Sequence, residues 1–475
     1  MRDSAYFAGT FETVALIGRM PDASTPRHAF FSDFPKAFAA LFDEACCRLI
    51  FACHGPRGGG RAKLSPWQWI MARVYHELAR SGSFSANVKC VTRVTISDSA
   101  LSQRARSIGW KLIDEILPAV LRPLADIARH ADAFHRGYRL LAFDGTRFNL
   151  RNTPAINAGA RKTACSKGGG VPAFAHLLGV VLIEIGLHQP LAAAFGWQGE
   201  GELTLVRRIL SRQSLPERCL ILADRLFGTP SLMWELAPMI EKSAGAVLFR
   251  VKSNLKATRV RQLSDGSWLV NVNVTEPGTR RKADTLQLRE IHAEIHYQGG
   301  AKPLAMRFWT SLLDEKAHPA VALVELYASR WEEELFFREL KSHLHGRNNL
   351  LDAQTPETAA QEVLAMLLAA SLVAMQREVV AERACVEILR ISFAKVLHKT
   401  AALCELLAVG GDLIEPVSLA RWIERILDDL QTSALIQKRK PRSCPRTLRQ
   451  PTKDWPKTKI PGSKQITKTI VIPNP

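Results

Sequence analysis

The sequence lacks any Cys-x2-Cys pair, and its nine cysteines are an odd, scattered set. Such thiols build neither a zinc ribbon nor a disulfide framework, so they read as reduced and mostly buried, and no structural metal is expected. Also missing is a charged start followed by an apolar core and a small-residue cleavage site. The longest apolar run, "VLAMLLAASLVAM" from Val363, is too short to span a bilayer. The expectation is a cytoplasmic protein with no membrane partner. Acidic residues are scarce: 45 Asp+Glu stand against 64 Lys+Arg, a net charge of +19. That excess points to a polyanion, with nucleic acid first and an anionic membrane surface second. Two motifs are incomplete. "GPRGGGRAK" at Gly55 lacks the Lys-Ser/Thr of a P-loop, which excludes that nucleotide site. "EIHAEIHYQGG" lacks a glutamate directly after its first histidine, and strand alternation puts Glu290, His292, Glu294 and His296 on one polar face rather than around a zinc ion.

What is present divides by period. At 475 residues the chain is long enough for two or three domains. Residues 1–130 read as helical. Asp33 before Pro35, and Ser65 before Pro66, open runs with helical spacing, the second stopped by Gly82. A further helix starts at Ser97 or Asp98. Its Gln103, Arg104 and Arg106 suit base reading and phosphate holding, or a solvated face.

After residue 130 strands interleave with helices, which implies an α/β sheet. "YRLLAFDGT" is a short apolar run ended by Asp144-Gly145. "LLGVVLIEI" from Leu177 and "PLAAAFGW" from Pro190 form a hairpin turning at Leu187-His188, and "RCLILADRLFG" is a buried strand ending at Asp224. Between about 252 and 318 the pattern turns to β alternation, with Trp268, Val270, Val272 and Val274 on one face. "YASRWEEELFFRELKSHLHG" then lies in a helix from about Pro319 to His345. At about 100° per residue, Tyr327, Arg330, Glu334 and Lys341 share an arc of roughly 60°. Glu332, Glu333 and Glu339 are expected to point away into solvent. Taken alone, the aligned set reads equally as an ion-paired helix face.

"AFDGT" around Asp144, "LADRLFG" around Asp224, and the spacing Tyr327-x2-Arg330-x3-Glu334-x6-Lys341 resemble the DDE transposases of bacterial insertion sequences, in the Tyr-Arg-Glu-Lys branch called insertion sequence family four. The resemblance covers roughly residues 30–380. It implies a ribonuclease H-like α/β catalytic core over 131–430, with a β-rich insertion at about 252–318, preceded by an all-helical DNA-binding region over 1–130. It further implies that Asp144, Asp224 and Glu334 are catalytic and hold two Mg²⁺ ions, with Mn²⁺ as substitute. Asp144 would bridge both ions. Tyr327, Arg330 and Lys341 would contact DNA phosphates, and Arg225 is a further candidate. Some members of this branch cut through a DNA hairpin, with an aromatic of the insertion capturing a flipped base. Trp309 or Trp268 would be its equivalent here, unless both are core tryptophans.

The implied partners are double-stranded DNA, both element inverted repeats and target, and a second copy in a synaptic homodimer, for which the helices over 355–430 are candidates. Bacterial cytoplasm, associated with the nucleoid, is the implied location. A noncatalytic repressor derived from a transposase, and a nuclease on the same fold, are the alternatives. Residues 431–475, rich in Lys, Arg and Pro, are expected to form a flexible basic tail.

Overall fold

The computed structural model describes residues 52, 63–64, 66–79, 82–108, 117–118, 121–159, 174–197, 199–275, 281–297, 303–345, 350–410, 414–438 and 468–472. The helix expected after Pro35 and the glycine-rich stretch at Gly55 lie outside them. In chain order the described elements begin with α1 (Pro66–Ala79), α2 (Phe84–Thr92) and α3 (Asp98–Ile108). Next come β1 (Phe134–His135), β2 (Tyr138–Asn149), α4 (Pro154–Gly159), β3 (His176–Glu184), β4 (Gln189–Gly196) and α5 (Glu202–Leu210). Then follow β5 (Cys219–Ala223), α6 (Pro230–Lys242), β6 (Ala246–Arg250), β7 (Thr258–Gln262), β8 (Trp268–Thr275), β9 (Lys282–Tyr297) and β10 (Leu304–Thr310). A helical run follows: α7 (Ala320–Tyr327), a 3₁₀ turn (Ala328–Arg330), α8 (Trp331–Arg338) and a π-turn (Glu339–Leu344). The chain then forms α9 (Pro356–Arg383), α10 (Phe393–Gly410), α11 (Pro416–Ser433) and β11 (Lys468–Val471).

Two compact units share the chain. One takes Met1–Asp126, Gly145–Gln213 and Leu335–Ile436, and the other takes Ile127–Asp144, Ser214–Glu334 and Gln437–Pro475. The first is organised on α9, which starts from a reciprocal cap between Thr355 and Thr358. Among the described residues α9 is the helix long and apolar enough to cross a membrane, and 94% of its apolar window is buried. It also buries Gln361, Glu362, Gln376, Arg377 and Glu378. Polar groups sunk this deep need protein partners. Glu362 accepts from the backbone N–H of Asp352 (3.0 Å) and Ala353 (2.9 Å), and Gln361 donates to the Ala105 carbonyl (2.6 Å). These bonds mark α9 as the core helix of a folded unit.

The N-terminal helices do not stand apart. α1 and α3, from the stretch expected as a helical region over 1–130, pack on α9 in the same unit as the β3–β4 hairpin. Between α1 and α3 lies α2, whose cap Ser83 accepts from the Ala86 N–H (3.2 Å). On α3, Gln103 and Arg106 are exposed while Leu101 and Ile108 are buried.

The second unit is built on a sheet in the order β2-β5-β6-β10-β9-β8-β7. β2, β5 and β6 run parallel, which explains their unbroken apolar sequences, since parallel strands are covered on both faces. β10 pairs antiparallel with β6 through Trp309↔Phe249, so the β-rich segment extends the same sheet. Two expectations are corrected here. β2 runs past Asp144-Gly145 to Asn149, because Thr146, Phe148 and Leu150 alternate as buried residues around the exposed Arg147. Residues 468–471, expected in a flexible tail, form β11 and pair antiparallel with β9 through Lys468↔Tyr297 and Val471↔Glu294.

Candidate active site

The parallel register sets the two aspartates. Phe143 pairs with Ala223, so the next residues, Asp144 and Asp224, leave the same ends of adjacent strands. The turn after Asp224 is tight: Phe227 and Gly228 donate their N–H groups to the Asp224 carbonyl (2.9 and 3.2 Å), and Arg225 N–H donates to the Asp224 side chain. Gly228 is required because a Cβ there would strike the backbone carbonyl of Arg250. Asp224 is half-buried, whereas Arg225 is exposed.

The helical run delivers the third carboxylate. Arg330 places one Nη 3.5 Å from Asp144 Oδ2 and the other 3.1 Å from Glu334 Oε1. Burial works against its charge, but Tyr327 and the carboxyl groups of Asp144, Glu333 and Glu334 more than offset that and hold the guanidinium charged. Tyr327 is itself buried, its ring edge-on to Phe308 (centroids 4.9 Å apart) and 6.0 Å from the Arg330 guanidinium carbon. Burial pushes its phenol up to about 12, with Asp224 among the charges near it. Tyr327, expected to contact the DNA backbone, is thus buried here beside Arg330. Among the described residues no three His, Cys, Asp or Glu side chains gather as a ready-made metal cage. Asp144 and Glu334 are drawn together through Arg330, and Asp224 stands on the next strand.

Helical phase brings in a residue that sequence reasoning sent elsewhere. Glu333 is fully buried, its carboxylate oxygens make no well-formed hydrogen bond, and the Asp144 N–H lies beside them. The 3₁₀ turn at Ala328–Arg330 winds about 20° further per residue than an α-helix, about 60° over three residues, and carries Glu333 inward. Burial and the nearby Asp144 raise its carboxyl well above the ordinary range. A group shifted this way costs little stability at low pH and progressively more as pH rises through the ordinary carboxylate range towards its folded value. Glu333→Leu should therefore raise the melting temperature, with a gain that grows between pH 4 and pH 8. Thermal melts across that range check it, and a gain independent of pH would contradict the assignment.

Lys341 belongs to the other unit. Its Nζ donates to Thr146 Oγ1 and to the Arg147 carbonyl (2.8 Å), and it lies 5.1 Å from the Phe148 ring centroid. Arg147, Phe148, Asn149, Lys341 and His345 line a cavity of about 80 Å³. His176 is held below its usual range by burial and then by the charges of Arg147 and Lys341, which registers the positive field there.

Two aspartates leave the same ends of adjacent parallel strands, and a helix sets a glutamate against the first of them through an arginine. The family model described as the transposase DDE domain matches residues 135–372, half of the chain. This chain belongs to the DDE transposase family. A curated relative, the transposase InsG for insertion sequence element IS4 of Escherichia coli (strain K12), is 28% identical over 297 residues. The match covers 61% of this chain and 63% of the relative, so the chain spans just under two thirds of that protein's length. Among solved structures, the cryo-EM structure of the piggyBac transposase synaptic complex with hairpin DNA is similar at a TM-score of 0.44 and 10% identity, over 84% of this chain and 85% of that one.

Trp309, expected as a possible base-capturing aromatic, is a buried tryptophan. It has no exposed surface, lies near the C-terminal end of β10, and donates its indole N–H to Glu290 (2.7 Å). Glu290 also accepts from Arg307 Nε (2.8 Å) and lies 2.7 Å from His292 Nε2. Burial raises the Glu290 carboxyl, but these bonds overcome it and bring it down to about 2. The Glu290–His292 pair expected on a polar strand face is therefore part of a charged cluster that fixes Trp309. Trp268 remains half-buried under the Arg259 guanidinium (4.5 Å).

Proposed function

We propose that this chain binds the terminal inverted repeats of an insertion sequence and catalyses divalent-metal-dependent DNA cleavage and strand transfer of the cut-and-paste type. The observation that carries the reading is Arg330 holding Glu334, on the helical run, together with Asp144, on the strand paired with the one that ends before Asp224. The core is read as ribonuclease H-like, because β2, β5 and β6 are parallel and the antiparallel β3–β4 hairpin falls between the first two in sequence.

The residues fit Mg²⁺. All three donors are hard carboxylate oxygens, and the positive charge of Arg330 already lies between two of them, where a divalent ion's charge would serve. Asp144, Asp224 and Glu334 would hold two ions, Mg²⁺ or Mn²⁺ in its place. When bound, such ions activate the attacking oxygen and stabilise the leaving one. The protein's own cations have another task. Arg330, once its carboxylate partners are otherwise engaged, and Lys341, with Arg147 nearby, hold phosphates of the cut strand. Buried Tyr327 contributes by seating Arg330. A second copy would complete a synaptic dimer, and DNA binding would place the protein on the bacterial nucleoid. Intact acids at all three positions favour catalysis over a repressor role.

The test is incubation of the purified chain with Mg²⁺ and DNA carrying the repeats that flank its gene. Joined products are expected. Nicks without joining would assign a nuclease, and a mobility shift without cutting would assign a repressor.

A further inference from the structure

Glu339 takes no part in the proposed chemistry, yet it carries a carboxylate into the core of the first unit, 4% exposed. Its Oε2 lies 2.6 Å from His188 Nδ1 and 3.5 Å from an Nη of Arg377. Arg377 is wholly buried in α9, and its remaining groups reach the carbonyls of Ile391 (Nε, 3.1 Å) and Ile388 (second Nη, 3.5 Å). His188 occupies the turn between β3 and β4 in the left-handed region, at φ 56°. Hairpin turn, core helix and helical run therefore converge on one carboxylate.

Stability alone is a poor reason for this set. Each buried ion loses its hydration, and well-packed apolar residues of similar volume commonly hold a fold as well or better. Buried ionic groups are better suited to fixing one geometry among several. Here the geometry at issue is unusual: Glu339 opens the π-turn Glu339–Leu344, a rare form frequent at functional sites. Leu340 and Leu344 anchor that turn in the core, and between them Lys341 reaches Thr146 and the Arg147 carbonyl.

We propose that Glu339, clamped by His188 and Arg377, is a positioning residue that locks the π-turn and aims Lys341 at the cavity lined by Arg147, Phe148, Asn149 and His345, where a DNA phosphate docks. The phosphate rests on the transposase reading. The aiming of Lys341 does not.

Two variants separate the parts. His188→Asn removes the imidazole while keeping a residue type that tolerates a left-handed turn, and Glu339→Gln keeps the shape but removes the charge. The first readout is the acylation rate of Lys341 by an amine-reactive reagent, followed by mass spectrometry on protein without DNA and well below its melting temperature. Both variants should label Lys341 faster, on the order of tenfold, as expected for loss of about one charged hydrogen bond, while other lysines keep parental rates. If either variant fails to fold, Glu339→Leu combined with Arg377→Met replaces the buried ions with apolar groups, and the same labelling is read there. Parental labelling of Lys341 in the folded variants would overturn the proposal.

The second readout is affinity for element-end DNA. His188→Asn should weaken it between about tenfold and about a hundredfold. The same change added to Lys341→Ala should weaken it no further, and an additive loss would mean that the clamp acts on stability and not through Lys341. Should the parent bind no end DNA at all, the transposase reading falls, and the labelling still decides the clamp.

Discussion

Glu334→Gln should cut element-end DNA slower by roughly three orders of magnitude or more, the scale on which single groups of a catalytic set act, while still binding that DNA. Asp144→Asn and Asp224→Asn should do the same. Each change keeps size and most hydrogen bonding and removes one negative charge. Asp144 and Glu334 already share one cation, Arg330, so the loss of either charge leaves fewer than the three hard donors the chemistry requires. Glu332→Gln is the control. It sits on the same helix, half-buried, and should cut within a few fold of the parent. A gel assay of Mg²⁺-dependent cleavage, beside a mobility-shift assay, reads both properties. If Glu332→Gln were inactive and Glu334→Gln active, the site would have to be moved.

Arg330→Gln should have the largest effect on stability among the site variants, and the effect should depend on metal. Its side chain is 13% exposed, against 23% for Asp144 and 36% for Glu334. Breaking a fully buried pair costs about 3–5 kcal/mol, and the partial exposure of Glu334 reduces this to about 2 kcal/mol. The loss arises because Asp144 and Glu334 would face each other without a counter-charge, with Glu333 beside them. Added Mg²⁺ restores positive charge at the same place, so it should raise the melting temperature of Arg330→Gln more than that of the parent. Melts with and without Mg²⁺ check this, and equal shifts in the two proteins would contradict it.

Much of this site is legible in the sequence, for local reasons. "LLAF" and "CLILA" are continuous apolar runs, which a sheet buried on both faces requires, and each run stops at an aspartate. The spacing of Tyr327, Arg330, Glu334 and Lys341 is likewise a one-dimensional signal. Glu333 and Glu339 were not legible as buried groups. The inward phase of Glu333 comes from the 3₁₀ turn before α8, and Glu339 meets its buried partners His188 and Arg377 from far along the chain; extrapolation at one fixed angle per residue carries no record of either. Trp309 was ambiguous because alternation marks which face a residue is on, not whether a partner such as Glu290 waits in the core. The pairing of β11 with β9 joins residues some 170 positions apart, and nothing in the Lys- and Pro-rich stretch before it announces that return.

Iron-directed backbone cleavage tests the central claim most directly, because it needs no knowledge of the DNA ends. With Fe²⁺ in place of Mg²⁺, ascorbate and peroxide generate radicals that cut the chain near the bound ion, and mass spectrometry locates the new ends. Cuts are expected at three separate stretches, around 144, around 224 and around 330–334, all suppressed by excess Mg²⁺ and all lost together in the Asp144→Asn, Glu334→Gln double variant. Cuts confined to other parts of the chain, or persisting unchanged in that double variant, would contradict a site built on Asp144, Asp224 and Glu334.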